Sequence, residues 1–331
     1  MDVVTGAAGH VGANLVRALL ARNRPVRACV HRDERALAGL PVERAPLDLL
    51  DRDSVRRAVS GADIVFHAAA RIFLDEPGQD EGIRVNVEGT RNVIEACREA
   101  GVRRLVHVSS VHALEQRPHD SPLDADRALA EETGPLPYDR SKARAERLVL
   151  EAVARGLDAV IVAPGAVIGP FDFKPSRMGR LLLALARGRV PALARGGYTW
   201  VDARDVAEAL IAAAERGTRG RRYLVSGPYA TFAELARLVG EASGTRPPRI
   251  VVPLWLARLG APFAAAIARF RGETPLYSPA SVAAVAHGNP AVDIRPAARD
   301  LGFRPRPLES TVADTIAWFR QAGLLEAPPR R

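Results

Sequence analysis

Tyr138 and Lys142 place a phenol and a primary ammonium four residues apart in a chain whose only lysines are Lys142 and Lys174. Nearly every other basic position is arginine, a permanently charged fork, whereas lysine is a compact point charge. A site that needs one ammonium beside one phenol therefore needs lysine. Residues i and i+4 share a helix face. The segment 138–155 holds good helix formers and no glycine or proline, so the pair should meet. A free phenol titrates near ~10, and a neighbouring positive charge favours phenolate and lowers that value. Tuned in this way, Tyr138 can give a proton to a carbonyl oxygen or take one from an alcohol. The plainer alternative is a tyrosine at a helix start and a solvated lysine.

The elements that would position such a pair begin at the amino terminus. A short β-branched strand runs into Gly6, Gly9 and Gly12, and an apolar-periodic helix follows through Val11, Leu15, Val16, Leu19 and Leu20. Strand, glycine turn and helix suit a pyrophosphate. Gly6 permits the turn, Gly9 lets the ligand approach the backbone, and Gly12 lets the helix pack on the strand. The helix start then offers N–H groups to the phosphates. A second strand, 26–30, ends at His31 and Arg32, where a cation suits a 2′-phosphate and favours NADP(H). Asp33, next along, leaves NAD(H) possible.

Strand and helix patterns then alternate. Strands are expected at 42–45, 63–70, 103–109 and 158–162. Helices are expected after Asp51, over 79–100 and over 138–155. This predicts an α/β fold: a Rossmann-type doubly wound parallel sheet with a smaller, mostly helical C-terminal substrate region. The expected dinucleotide-binding unit is 1–165, with 200–226 returning to it. Segments 166–199 and 227–325 form the substrate-binding region, and 326–331 is a tail. Helical periodicity is read over 200–214. Ligands should bind beyond the carboxyl ends of the strands, where Gly9, Asp48, His67, Ser109 and Pro164 lie.

Composition narrows the function classes. The 331 residues are 47% hydrophobic and 26% charged, as in an ordinary globular protein. The net charge of +9 comes from arginines scattered among acids, so nucleic acid is not an expected partner. No run of about 18 apolar residues predicts a membrane span. Met1 leads almost directly into a strand, leaving no room for a signal peptide, so the expected compartment is the cytoplasm. Cys29 and Cys97 lack metal-ligand spacing, and so do His10, His31, His107 and His112; no metal is expected. A lone histidine such as His67 at a buried strand end is more often satisfied by its neighbours than catalytic. No Gly-x-Ser-x-Gly elbow supports a hydrolase.

These motifs together resemble the extended short-chain dehydrogenase/reductase superfamily (the NAD-dependent epimerase/dehydratase family). The residues that carry the resemblance are Thr5-Gly-Ala-Ala-Gly-His-Val-Gly12, Asp48-Leu49, His67-Ala-Ala-Ala70, Asn86-Val-Glu-Gly-Thr90, Val108-Ser-Ser110, Tyr138-x-x-x-Lys142 and Pro164-Gly-Ala-Val-Ile-Gly-Pro170. Trp200-Val-Asp-Ala-Arg-Asp-Val-Ala207 and Leu301-Gly-Phe-Arg-Pro305 follow, so nearly the whole chain is covered. Within the superfamily the chain looks closest to the dihydroflavonol-reductase-like, 3β-hydroxysteroid-dehydrogenase-like and hopanoid-associated epimerase/reductase branch. The resemblance implies Tyr138 as general acid/base and Lys142 as the group that lowers its pKa and holds the nicotinamide ribose. Ser110 would hydrogen-bond the reacting oxygen, with Ser109 as fallback. Gly6, Gly9, His10, Val11 and Gly12 would cradle the pyrophosphate. Asp48 and Leu49 would flank the adenine, Ala68 and Ala69 would line the cofactor path, and Pro164 to Val167 would lie near the nicotinamide amide. The reductase relatives carry arginine where this chain has His31. Asn86 either supports the site or is a polar helix-start residue.

Toward the carboxyl end, Leu254, Trp255, Leu256, Leu259, Phe263, Ile267 and Phe270 form an apolar stretch interrupted by Arg258 and Arg269. Its spacing is read first as core packing against the main sheet, and second as the wall of a pocket for a bulky apolar substrate. Phe73, Phe171, Tyr198 and Trp200 are further candidates for that pocket.

The expected activity is NADP(H)-dependent hydride transfer between nicotinamide and a carbonyl or secondary alcohol of a bulky apolar small molecule. Two rivals stand beside it. An NAD-dependent nucleotide-sugar epimerase or dehydratase would need cations for a second pyrophosphate, for which Arg177, Arg180, Arg195 and Arg204 are candidates. A redox-sensing binding protein would have no need of the serine, tyrosine and lysine set. A monomer or a homodimer, paired through helices 79–100 and 138–155, is expected.

Overall fold

A computed structural model describes residues 1–74, 78–132, 134, 136–270, 275 and 277–326. Strand β1 (Asp2–Thr5) enters helix α1 (His10–Leu20). Then come β2 (Val26–Val30), β3 (Glu43–Pro46), α2 (Arg52–Val59), β4 (Ile64–His67), α3 (Gln79–Glu99), β5 (Arg104–Val108), α4 (Pro137–Ala154) and β6 (Ala159–Pro164). Elements β7 (Ala166–Ile168), α5 (Arg177–Ala186), β8 (Ala192–Ala194), β9 (Gly197–Asp202), α6 (Ala203–Arg216) and β10 (Arg222–Val225) follow. The chain closes with β11 (Tyr229–Thr231), α7 (Phe232–Ser243), β12 (Ile250–Val252), α8 (Leu254–Phe270), α9 (Pro279–His287), α10 (Arg295–Leu301) and α11 (Leu308–Gln321).

Seven strands form one parallel sheet in the order β10-β6-β5-β4-β1-β2-β3. Its central strands read as unbroken apolar runs because helices cover both faces. Helices α1 and α6 bury Leu15, Val16, Leu19, Val206 and Leu210 against one face. Helices α2, α3 and α4 bury Val55, Val59, Val93, Cys97 and Val149 against the other. The order reverses between β1 and β4, where Thr5 stands in register with His67, and that opens a crevice at their carboxyl ends.

The expected α/β elements all occur, with shifted ends. The strand read over 63–70 stops at His67, and Ala68 to Ala70 leave the ladder. The helical reading over 200–214 divides. Trp200 to Asp202 finish β9, and the Asp202 side chain accepts from the Arg204 N–H to start α6. Asp51 caps α2 as expected, accepting from the Asp53 N–H.

Beyond β6, β7, β9 and β11 form a small sheet, and β8 pairs with β12. Leu182, Leu235, Val239, Val312, Ile316 and Phe319 build a separate core there from α5, α7 and α11. Because β10 completes the main sheet while these helices share their own core, we propose the division into 1–165 with 200–226, and 166–199 with 227–325. Of the expected tail, only Glu326 lies among the described residues.

The core-packing reading of the apolar stretch is corrected for five of its seven residues; Leu254 is half-buried, and the Ile267 side chain lies outside the described part. The stretch does form helix α8, but Trp255, Leu256, Leu259, Phe263 and Phe270 are exposed, and the small Ala261 and Ala265 take the buried side. Periodicity requires that one face be apolar and says nothing of what covers it.

Candidate active site

The glycine turn is built for close approach. Gly6 has φ +67°, and a Cβ there would stand 2.7 Å from the Ala69 Cα. A Cβ on Gly12 would stand 2.1 Å from the Gly6 carbonyl oxygen, so α1 can sit on the turn only with glycine. Gly9 is the N-cap of α1, and no side chain caps that end. The first N–H groups of α1, with the helix dipole behind them, are therefore offered outward to an anion. This uncapped cradle fits a dinucleotide pyrophosphate.

The other cofactor candidates fall around it. Ala68 and Ala69 are half-buried beside Gly6. Val11 is half-buried on α1. The His10 side chain turns away from the crevice: its Nε2 lies 3.1 Å from both the Gly169 and Pro170 carbonyl oxygens. His10 thus ties the start of α1 to the 169–172 loop and has only its backbone N–H to offer a phosphate. Asp48 is exposed and accepts from the Leu50 N–H through Oδ1, whereas Leu49 is buried against Gly89. Pro164 is buried at the end of β6, and Val167 is half-buried on β7. His31 and Arg32 are exposed just past β2. Asp33 is held by Arg35, which donates from Nε to Oδ1 at 3.0 Å and from Nη2 to Oδ2 at 2.7 Å. That hydrogen bond lowers the Asp33 pKa to about 2, with a smaller contribution from the charge of Lys174.

His67 is a structural member of a closed hydrogen-bond chain. The Ala69 N–H donates to Thr5 Oγ1, Thr5 Oγ1 lies 2.8 Å from His67 Nδ1, and His67 Nε2 lies 3.1 Å from Thr90 Oγ1. Thr90 spends its one proton on the Asn86 carbonyl, so it must accept from His67 Nε2–H. Nδ1 then accepts from Thr5. Burial, reinforced by the Lys142 charge, pushes the His67 pKa down to about 3. The partners are two threonines, which strand and helix periodicity had not paired. Asn86 is not at a helix start. It lies two turns into α3, where Oδ1 accepts from the Arg71 N–H and Nδ2 donates to the Ser141 hydroxyl.

Tyr138 and Lys142 sit in the first turns of α4, as expected. Ser110 is buried at the carboxyl end of β5; its hydroxyl accepts from the His112 N–H and lies close enough to the Tyr138 phenol to lower its pKa. Ser109 points elsewhere: its Oγ donates to Glu146 Oε2 at 2.5 Å. One expectation fails in this arrangement. Burial raises the Tyr138 pKa, the Asp139 charge adds to the rise, and the Ser110 hydrogen bond opposes it. Lys142 is not among the groups that set it, and its Nζ donates to the Val108 carbonyl at 2.7 Å. Burial instead pushes Lys142 itself down to about 8, against the pull of Glu146.

Glu146 was missed from the sequence. It is fully buried, one turn beyond Lys142, and its other oxygen accepts from Arg222 Nε at 2.5 Å. Arg222 also donates to the carbonyls of Ala125 and Arg127. The i+4 step from Lys142 to Glu146 was a usable signal. Arg222 was visible only as half of an Arg-Arg pair, and no local pattern joins it to α4.

On the substrate side, the Phe73 ring meets Tyr138 edge-on at 6.0 Å. The Tyr198 ring stands 6.5 Å from His112, whose Nδ1 lies 3.6 Å from Asp139 Oδ2. Next to Tyr198, Met178, Leu181, Phe232, Val282 and Val285 line a mostly apolar hollow. Phe171 and Trp200 are not part of it. Phe171 carries the Arg17 guanidinium 4.5 Å above its ring, and Trp200 is buried with its Nε1 on the Ala230 carbonyl. Of the arginines considered for a second pyrophosphate, Arg204 is held by both Asp202 and Asp314, Arg180 donates to the Pro175 carbonyl, and Arg195 is exposed. Arg177 lines the hollow. Among the described residues, no group of three or more His, Cys, Asp or Glu side chains could hold a metal.

The family model for the NAD dependent epimerase/dehydratase family matches residues 3–226. The chain is 39% identical over 327 residues to Sterol demethylase protein B of Methylococcus capsulatus, covering 98% of this chain and 99% of the relative. It is 32% identical to a putative dihydroflavonol 4-reductase of Synechocystis, covering 98% and 95%. The solved structure of a nucleoside-diphosphate-sugar epimerase from Pseudomonas aeruginosa superposes at a TM-score of 0.80 with 27% identity, covering 98% and 99%. With the Rossmann-type sheet, the glycine cradle and this match across two-thirds of its length, the chain belongs to the NAD-dependent epimerase/dehydratase family and is an NAD(P)-dependent enzyme of the extended short-chain dehydrogenase/reductase superfamily.

Proposed function

We propose that this enzyme is an NADP(H)-dependent oxidoreductase that interconverts a carbonyl and a secondary alcohol on a bulky apolar small molecule, with Tyr138 as general acid/base. The observation that carries the reading is the pairing of Ser110 with Tyr138 at the carboxyl end of β5, with Ser109 drawn off to Glu146. In this reading the two hydroxyls share the reacting oxygen. When bound, the nicotinamide supplies or accepts the hydride. The uncapped start of α1 holds the phosphates through Gly9, His10, Val11 and Gly12 backbone groups. Lys142 has three donors; one is spent on Val108, and the others serve the nicotinamide ribose. Ser110 steadies the substrate oxygen. Tyr138, kept protonated by burial, donates its phenolic proton to that oxygen during reduction and takes it back during oxidation.

The preference for NADP(H) is supported by the surroundings of β2. His31 and Arg32 are exposed there, and the Asp33 carboxylate is occupied by Arg35 with Lys174 nearby. An engaged carboxylate cannot serve a ribose diol, and the cations suit a 2′-phosphate. The apolar hollow and the engagement of Arg204 by Asp202 and Asp314 support a reductase over a nucleotide-sugar epimerase. The names of two relatives, a sterol demethylase protein and a putative dihydroflavonol 4-reductase, point to polycyclic substrates.

The test is Tyr138→Phe. It should lower turnover of polycyclic ketones by about 10²-fold or more, with NADPH binding, read by nicotinamide fluorescence, nearly unchanged. Undiminished turnover sinks the assignment.

A further inference from the structure

Trp255, Leu256, Leu259, Phe263 and Phe270 all project from α8 into solvent, with Trp255 64% and Phe263 73% exposed. The steps from Leu256 to Leu259 to Phe263 to Phe270 are 3, 4 and 7, so they form one stripe. Ala261 and Ala265 take the opposite, buried side. Just before α8, Ile250 and Val251 of β12 extend the exposed apolar surface. An apolar face of this extent on a monomer marks an interaction surface.

Charge identifies the partner. From 242 to 272 the sequence holds five arginines and no acid. Arg246, Arg249 and Arg258 are exposed, and among the described residues none of them has an ion-pair partner. Many surface arginines elsewhere are paired, as in Arg22 with Glu208, Arg56 with Glu99 and Arg103 with Asp63, and, among the described residues, the unpaired ones such as Arg57 and Arg98 lie in acid-containing stretches. An apolar stripe that includes tryptophan, flanked by unpaired arginine, is the pattern of a helix lying in a membrane interface. A second copy docked about a two-fold axis would bring the arginines toward one another, whereas anionic headgroups neutralise them. Among the described residues, no helix is long and apolar enough to cross a membrane.

We propose that α8, with β12, docks this enzyme onto an anionic lipid bilayer. Helix α9 packs against α8 and supplies Ser281, Val282 and Val285 to the hollow beside Tyr198. Helix α8 therefore backs the helix that forms one wall of the hollow, and docking brings that wall toward the lipid that would hold an apolar substrate. This last step rests on the function proposed above; the docking does not.

The test is flotation of the full chain with vesicles of phosphatidylcholine containing roughly one-third phosphatidylglycerol, against phosphatidylcholine alone. The protein should float with the anionic vesicles, more weakly as salt rises. Leu259→Gln/Phe263→Gln should lower the bound fraction by about tenfold or more without changing the melting temperature or the turnover of a water-soluble ketone. Arg246→Glu, Arg249→Glu and Arg258→Glu should each weaken binding by about fivefold. Absence of flotation with anionic vesicles, or flotation that survives both sets of changes, overturns the proposal. A solution dimer that Leu259→Gln/Phe263→Gln dissociates, without vesicle binding, also overturns it and assigns the face to a second copy. Flotation without ketone turnover would leave the docking standing and reject the reductase reading alone.

Discussion

Glu146 and Arg222 meet at 2.5 Å between helix α4 and strand β10, 76 residues apart in the chain. The same carboxylate takes the Ser109 hydroxyl on its other oxygen and stands one helical turn from Lys142. A buried ion pair thus holds Ser109 beside the candidate site. It joins the last strand of the main sheet to the helix that carries Tyr138.

Breaking this pair should be costly. Glu146→Gln leaves the Arg222 guanidinium buried without its counter-charge, a loss of about 3–5 kcal/mol. Chemical denaturation should read this as a lower midpoint. Replacing both partners, as Glu146→Leu/Arg222→Met, should recover part of the loss. A single Glu146→Gln enzyme as stable as the parent would show that the pair contributes nothing.

The charge on Lys142 should shape the pH profile. Its folded pKa of about 8 lies below the ordinary lysine value because burial disfavours the ammonium. A depressed pKa gives stability that is full above the unfolded value, near ~10.4, and is lost as pH falls through about 8. At neutral pH the enzyme therefore carries the buried charge at a cost. Ketone-reduction kcat/KM should fall as pH rises through about 8, as the ammonium loses its proton. Since Glu146 raises the Lys142 pKa, Glu146→Gln should move that limb to lower pH. A profile flat from pH 7 to 9, or a limb that stays put in the variant, would contradict the assignment.

The two serines should separate cleanly. Ser110→Ala removes the partner of Tyr138 and should lower kcat by about 10²-fold or more. Ser109→Ala removes a hydroxyl from Glu146 and should act mainly on stability, by about 1–3 kcal/mol. Equal kinetic losses in both variants would mean that neither serine is singled out.

Cofactor preference should be set just past β2. Arg32→Ala together with Arg35→Ala removes two cations from the surroundings of Asp33 and frees its carboxylate. The ratio of NADPH to NADH efficiency should fall by about tenfold or more. The freed Asp33 should also lose its depressed pKa of about 2, visible by carboxylate NMR titration. An unchanged ratio would place the discriminating group elsewhere.

His112 gives a further pH dependence. Burial is the largest single influence and works against its imidazolium, but the charge of Asp139 and the hydrogen bond to its carboxylate together outweigh burial and raise the pKa. A raised pKa stabilises fully below the ordinary value, and that contribution is lost as pH rises through the folded value. The stability difference between the parent and His112→Gln should therefore shrink with rising pH, as measured by thermal melts. A difference that grows instead would mean that His112 is buried neutral.

Much of this protein was readable from local pattern. Alternation of period 2 and period 3.6, with glycine at 6, 9 and 12, is enough to specify a strand, a phosphate-binding turn and a covered parallel sheet. The four-residue step from Tyr138 to Lys142 places both on one helix wherever that helix packs. What pattern left open were questions of direction and partner. Successive residues past a strand point to different sides, so only the point where β5 ends decided that Ser110 meets Tyr138 while Ser109 meets Glu146. The Lys142 ammonium lies on one side of α4 by periodicity, yet only the position of the Val108 carbonyl decided that it bonds there. The apolar period of α8 was legible and its exposure was not, because a helix face does not encode whether protein or solvent lies against it. Distant pairings such as Glu146 with Arg222 come from topology, which brings together residues that no sequence spacing relates.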